Sequence, residues 1–245
     1  MSDVGNVRTI NQDYVRYYQK NEHESLVVLC DGMGGHNAGE IASQMVGDAI
    51  VEQYVNHALF EDEKMIHDWM LEVVNHAHWL VKNKSLESPD LEGMGTTVVC
   101  AMFFENKCLI AHLGDSRAYI LHDQKLVQLT EDHSLVNELV KRGEISADEA
   151  KHHPQKNIVT RTLGISENVS LDFDELSLGS GDKVMLCSDG LTNMVDDDVI
   201  EKVLQKDESL DDQCQELIAK ANENGGNDNI TVLLADFSSK DGDMP

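Results

Sequence analysis

The sequence has few basic residues, few prolines and no long apolar run. Nineteen Lys and Arg stand against 45 Asp and Glu, a formal charge of −26. A field of that sign repels a nucleic-acid backbone or an anionic membrane unless one face departs strongly from the average, so neither is expected as a partner. The longest apolar runs are strand-sized, well below the ~20 residues that span a bilayer, and the first residues lack a basic-then-apolar signal pattern. Only three prolines occur, and no linker or low-complexity block interrupts the 245 residues, which are read as one large domain. The five cysteines form no C-x-x-C pair and no Cys/His metal spacing. Cys30, Cys100, Cys108 and Cys187 lie in or beside apolar strand-like runs, and Cys214 lies on a helical stripe. They read as core thiols of a soluble, unsecreted protein in a reducing cytoplasm.

What is present is periodic. Residues 37 to 55 place Ala38, Ile41, Ala42, Met45, Val46, Ala49 and Ile50 on one helical face, with Asn37 and Glu40 spaced as a capping box. A second stripe carries Ile66, Trp69, Met70, Val73, Val74, Ala77, Leu80 and Val81, while His76 and His78 are too close in sequence to ligate from one face. A third, near 210 to 222, carries Leu210, Cys214, Leu217, Ile218 and Ala221, with Asp211 and Asp212 near its positive end. Strands are expected near 13–18, 25–30, 96–104, 107–113, 117–121, 183–187 and 229–236, several joined by tight turns such as Glu105-Asn106. Short connections favour antiparallel pairing, and amphipathic helices need a sheet face to cover, so the class is α+β with sheets flanked by helices. Residues 133 to 165 differ: two short helical patterns, one opening with the box-like Ser146 to Glu149, suggest an inserted surface flap.

The chemistry lies where apolar strands end. SLVVLC runs into Asp31-Gly32, KVMLCS into Asp189-Gly190 and KCLIAHLG into Asp115, while Asp228 immediately precedes the strand NITVLLAD. One such aspartate is a turn residue; four ask for another reason. If those ends share one edge, the carboxylates raise each other's pKa unless protons or cations intervene. Oxygen-only ligands point to a hard ion, Mg²⁺ or Mn²⁺, rather than zinc.

These residues carry a resemblance. RTINQD (8–13), DGMGGHNAGE (31–40), GMGTT (93–97), HLGDSRAY (112–119), LTEDHS (129–134), SDGL (188–191) and DNIT (228–231) resemble, in order and spacing, the bacterial branch of the metal-dependent type 2C (PPM) serine/threonine protein phosphatases. The resemblance implies a four-layer α-β-β-α sandwich, two mainly antiparallel sheets with helices on both outer faces. It implies that Asp31 bridges two core ions, with the Gly32 carbonyl on one, Asp189 and Asp228 on the other, and Asp13 acting through water. Asp115 with Asp189 matches the acidic pair for a third, labile ion, Arg8 matches the phosphate-binding arginine, and His36 is the candidate general acid. The partners it implies are phosphorylated proteins and a cognate serine/threonine kinase, with the phosphatase expected to be a monomer and no membrane insertion. Asp132 and His133 match a motif but receive no chemical step. Family members usually have several residues forming an edge strand before the segment matching SDVGNVRTINQD, whereas here Met1 stands almost on the motif. Two rival functions are a catalytically silent metal-binding regulatory module of the same fold and a metal-dependent nuclease. The first would have lost ligand aspartates and the second would show a basic groove; the sequence has neither feature.

Overall fold

The computed structural model describes residues 1–35 and 37–237. One sheet has the strand order β1 (Ser2–Asp3), β11 (Ile230–Asp236), β10 (Lys183–Cys187), β7 (Arg117–His122), β8 (Lys125–Gln128). The other runs β2 (Asp13–Asn21), β3 (Glu24–Met33), β5 (Val98–Phe104), β6 (Lys107–Leu113), β9 (Asp172–Ser177), with the short β4 (Gly95–Thr96) also paired to β3. Every strand pairing is antiparallel. Helices α1 (Ala38–Asn56) and α2 (Glu63–Ser85) lie over the second sheet. Helices α5 (Asp189–Thr192), α6 (Asp197–Leu204) and α7 (Leu210–Glu223) lie over the first, and α3 (Leu135–Lys141) and α4 (Ala147–Lys151) fall between β8 and β9.

The strand runs are continuously apolar because both faces are buried, with side chains alternating between two cores. On β3, Leu26, Val28 and Cys30 pack under α1 and α2, while Val27 and Leu29 enter the core between the sheets. On β10, Val184 and Leu186 face that same inter-sheet core, and Met185 and Cys187 face α5 to α7. Three apolar layers therefore separate four layers of secondary structure, as the family resemblance implied. All five cysteines are buried free thiols. Among the described residues no helix is long and apolar enough to cross a membrane.

Several local expectations need correction. Asn37 precedes α1 but its side chain makes no capping bond, whereas Ser146 and Glu149 form the full reciprocal box at α4. Leu80 is exposed, outside the stripe on which α2 packs. Strands β8 and β9 and helix α6 were not anticipated. Both strands are sheet edges with a solvated face, and DFDELS carries the acidic residues that edges tolerate, which hides its strand character. The first strand is only two residues long, yet it pairs with β11 at Ser2↔Thr231 and Asp3↔Ile230.

Candidate metal centre

The antiparallel register of β2 and β3 sets Asp13 directly opposite Asp31. Asp31 lies just before β3 leaves β5 for β4, and the GTT segment fixes its backbone. Thr97 Oγ1 accepts from the Asp31 N–H at 3.0 Å, and the Thr97 N–H and the Thr96 hydroxyl both donate to the Asp31 carbonyl. On the other sheet, Asp189 opens α5 immediately after β10, and Asp228 precedes β11. These two ends meet because residue 190 is glycine: a Cβ there would lie 1.9 Å from the Asn229 carbonyl oxygen. Asp115 occupies the turn between β6 and β7, after Gly114 at φ +120°.

Five carboxylates thereby converge from both sheets. Burial, then the charges of Asp13, Asp189, Asp115 and Asp228, push the Asp31 carboxyl well above its ordinary range. Burial and Asp189 do the same to Asp115. Burial raises Asp13 to about 7 despite a hydroxyl donated by Ser188 at 2.6 Å, and burial with Asp228 raises Asp189 to about 6. The second oxygen of Asp13, Oδ1, is buried with no partner. Crowded acids, oxygen-only donors and an orphaned carboxylate oxygen are what a hard divalent cation relieves, so the residues fit Mg²⁺ or Mn²⁺.

Arg8 sits at the rim, half-exposed, its Nη2 donating to Asp228 Oδ2 at 2.8 Å. The segment that carries it is tied down by Asn229, whose side-chain amide donates to the Val4 and Ile10 carbonyls and accepts from the Gln12 N–H. Asn229, Ser188 and Thr97 are neutral, so no charge or periodicity marked them. The only signal was their place inside the motifs DNIT, SDGL and GMGTT. His36 lies outside the described residues.

Beside the carboxylates, Arg117 makes a bidentate pair with Asp132, Nε to Oδ1 at 2.8 Å and Nη2 to Oδ2 at 2.7 Å. A cavity of about 810 Å³ opens here, lined by Asp115, Asp189, Arg117 and Asp132 and also by Val136 of α3 and Ala150 of α4. A second cavity, about 680 Å³, lies at the far end of the β2–β3 hairpin around Asn21, Glu24 and Phe104, away from the cluster.

His112, His133 and Asp172 form a separate group whose donor atoms lie within 4.8 Å of one another. It is poorly shaped for an ion. Arg161 Nη1 stands 3.2 Å from both His133 Nε2 and Asp172 Oδ1, placing a fixed positive charge there. The two imidazoles stack 12° from parallel, so their lone pairs run in offset planes instead of converging.

Residues 6–235 match the family described as protein phosphatase 2C. The serine/threonine phosphatase stp of Listeria monocytogenes is 39% identical over 235 residues, covering 96% of this chain and 93% of that protein. The crystal structure of serine/threonine phosphatase Stp1 from Staphylococcus aureus is 37% identical, with a TM-score of 0.92 over 98% of this chain and 94% of that one. The catalytic domain of the serine/threonine protein phosphatase PstP, crystallised with two manganese ions, is 35% identical, with a TM-score of 0.84 over 98% of this chain and 96% of that one.

Proposed function

The chain belongs to the bacterial branch of the protein phosphatase 2C family of serine/threonine protein phosphatases, and from that premise we propose that it hydrolyses phosphoserine and phosphothreonine in proteins without a phosphoenzyme intermediate. The observation that carries this reading is the convergence of five aspartates, four of them with raised pKa values, around an unpartnered buried oxygen of Asp13.

Asp31, the Gly32 carbonyl, Asp189 and Asp228 are proposed to hold two divalent ions, Asp115 with Asp189 a third and more labile one, and Asp13 to act through water. Bound there, the ions would supply an activated water for in-line attack and neutralise phosphate charge. Arg8 is proposed to fork two phosphate oxygens, which its planar, permanently charged guanidinium suits. In the present arrangement that charge compensates Asp228; with a cation held by Asp228, Arg8 would be available to meet the phosphate. Asp13 Oδ1 is the acceptor left open for a water, with Ser188 fixing the other oxygen. His36, just after the Asp31 glycine turn, is the proposed acid that protonates the departing serine or threonine oxygen, a strongly basic alkoxide otherwise. A single phosphatase domain over 1–245 with a flap at 133–165, a cytoplasmic monomeric state, and opposition to a cognate serine/threonine kinase complete the proposal.

Hydrolysis of a phosphothreonine peptide with Mn²⁺, compared with excess chelator, is the test. Activity is expected only with the ion, and full activity in chelator overturns the reading. In the same assay His36→Gln should slow a phosphoserine peptide by about 10²- to 10⁴-fold while largely sparing an aryl phosphate, whose phenolate leaves unaided. Equal losses on both would remove His36 as the acid.

A further inference from the structure

His133 lies outside the carboxylate cluster, yet it holds the residue next to Asp115 from two sides. Its main-chain N–H donates to the Gly114 carbonyl at 2.9 Å, and its Nδ1 accepts from the Gly114 N–H at 3.0 Å. A backbone N–H can only donate, so Nδ1 carries no proton and the ring's hydrogen sits on Nε2. That hydrogen points to Asp172 Oδ2, 3.1 Å away on β9, and Arg161 Nη1 secures the other oxygen of the same carboxylate. Asp172 therefore selects the tautomer that leaves Nδ1 free to hold Gly114.

Gly114 has little other freedom. At φ +120° it adopts a backbone that side-chain-bearing residues avoid, and a Cβ would fall 2.5 Å from Thr97 Cγ2. Thr97 in turn bonds the Ser116 hydroxyl and the Asp31 N–H, so the Asp115 turn and Asp31 share a support. In the other direction the His133 carbonyl accepts from the Thr160 N–H at 2.7 Å, Ser134 bridges Val159, and the Leu135 N–H donates to Ile158. These bonds close the base of the segment bearing α3 and α4, which walls the cavity beside Asp115 and Asp189.

We propose that His133 is a positioning residue: its Nδ1, fixed by Asp172, sets the Asp115 turn, and its main chain couples that turn to the base of the 135–158 segment. The inference rests on the proposed assignment of Asp115 to the weakest ion. A phosphoprotein segment entering the cavity would press on α3 and α4 and so on the residue that places Asp115. Substrate contact and retention of the weakest ion are thereby linked.

The two amide replacements of histidine separate the roles of its nitrogens. His133→Asn keeps an acceptor near the position of Nδ1, whereas His133→Gln places its amide near Nε2 and abandons Gly114. Two readouts are needed: amide hydrogen exchange at Gly114 in chelator, and Mn²⁺ titration of phosphopeptide turnover. His133→Gln is expected to speed Gly114 exchange and to raise the Mn²⁺ needed for the weakest activation phase, each by about 10- to 100-fold, as for loss of a group that orients a ligand. His133→Asn should stay within about threefold of wild type by the same scale. Asp172→Asn, which frees the tautomer, should show the same defects in milder form and serves where the Gln variant folds poorly. Wild-type exchange in both the Gln and Asp172→Asn variants overturns the proposal, as does an Asn variant as defective as the Gln variant. Altered exchange with no Mn²⁺-dependent turnover in the wild type would instead leave the clamp standing and remove the phosphatase reading on which its consequence rests.

Discussion

Two walls of one cavity handle buried charge in opposite ways. On one, Arg117 is matched to Asp132 by two bonds and to the Tyr119 hydroxyl by a third, and that hydroxyl donates to Asp197. Burial works against the Arg117 charge, but the bonds to Asp132 outweigh it and hold the guanidinium firmly protonated. On the other wall, Asp115 and Asp189 crowd together with Asp31, Asp13 and Asp228 beyond the lining, and among the described residues Arg8 at the rim pairs only with Asp228. The first arrangement is complete as it stands. The second gathers like charges that its neighbours do not match, and a cation would relieve them. A buried ionisable group is thus a functional candidate when its neighbours fail to satisfy it; when they succeed, the same residue types brace the fold.

The sharpest way to break this contrast is to remove one carboxylate. Asp31→Asn deletes the residue on which the most like charges bear, so chelator-treated protein should gain stability, about 2–4 °C in Tm for each kcal/mol of repulsion relieved. Phosphopeptide turnover should fall to background, because the proposed bridge between core ions is gone. Scanning calorimetry in chelator beside a Mn²⁺ assay reads both. A lower metal-free Tm would mean that Asp31 is a structural member of the cluster, against the argument. The opposite wall should respond with the opposite sign. Arg117→Met leaves Asp132 without its partner in a mostly buried setting, so the metal-free protein should lose about 3 kcal/mol in denaturant unfolding. Core Mn²⁺ affinity, read by calorimetry, should stay near wild type. A stable Arg117→Met variant would erase the distinction between the walls.

The legible parts of the chain were those whose physics is local. A carboxylate at the end of a doubly buried strand stands out because nothing apolar explains it, and so Asp31, Asp115, Asp189 and Asp228 were visible as candidates before any coordinates. Sheets flanked by helices followed from strand-length apolar runs between helical stripes, and the sandwich was what the family resemblance implied. Neutral supports were not legible: Ser188 binds Asp13 across 175 residues of sequence, and Asn229 ties down a segment 217 residues away. Such bonds exist only after the two sheets have met. Edge strands β8 and β9 escaped for a related reason, since half-solvated strands need no apolar alternation strong enough to read. His133 was matched to a motif without a task because its task is to hold a backbone amide, which no sequence displays.

The finest test of the contrast is its proton count. Asp13 and Asp189 have folded-state pKa values near 7 and 6, above the ordinary 3.8, with burial the leading cause for both. A carboxyl raised in this way favours the folded state while protonated. Its contribution is full below the unfolded value and is lost as pH rises through the folded one. In chelator, therefore, these two carboxyls should lower Tm progressively from about pH 4 to about pH 7, the window set by their shifts. A bound divalent ion replaces the protons, so Mn²⁺-loaded protein should lack that component, and the gap between the two Tm curves should widen with pH. Calorimetry supplies the complementary number: ion binding near pH 6.5 should release about one proton from Asp13 and Asp189 together and more from Asp31 and Asp115, seen as a binding heat that varies with the buffer's ionisation enthalpy. Arg117 adds nothing to this count, because its bonds to Asp132 hold it protonated throughout. A buffer-independent heat at pH 6.5, or a Tm gap that stays constant across the window, would show that the aspartates hold no protons for an ion to displace, and the two walls would then differ in composition alone.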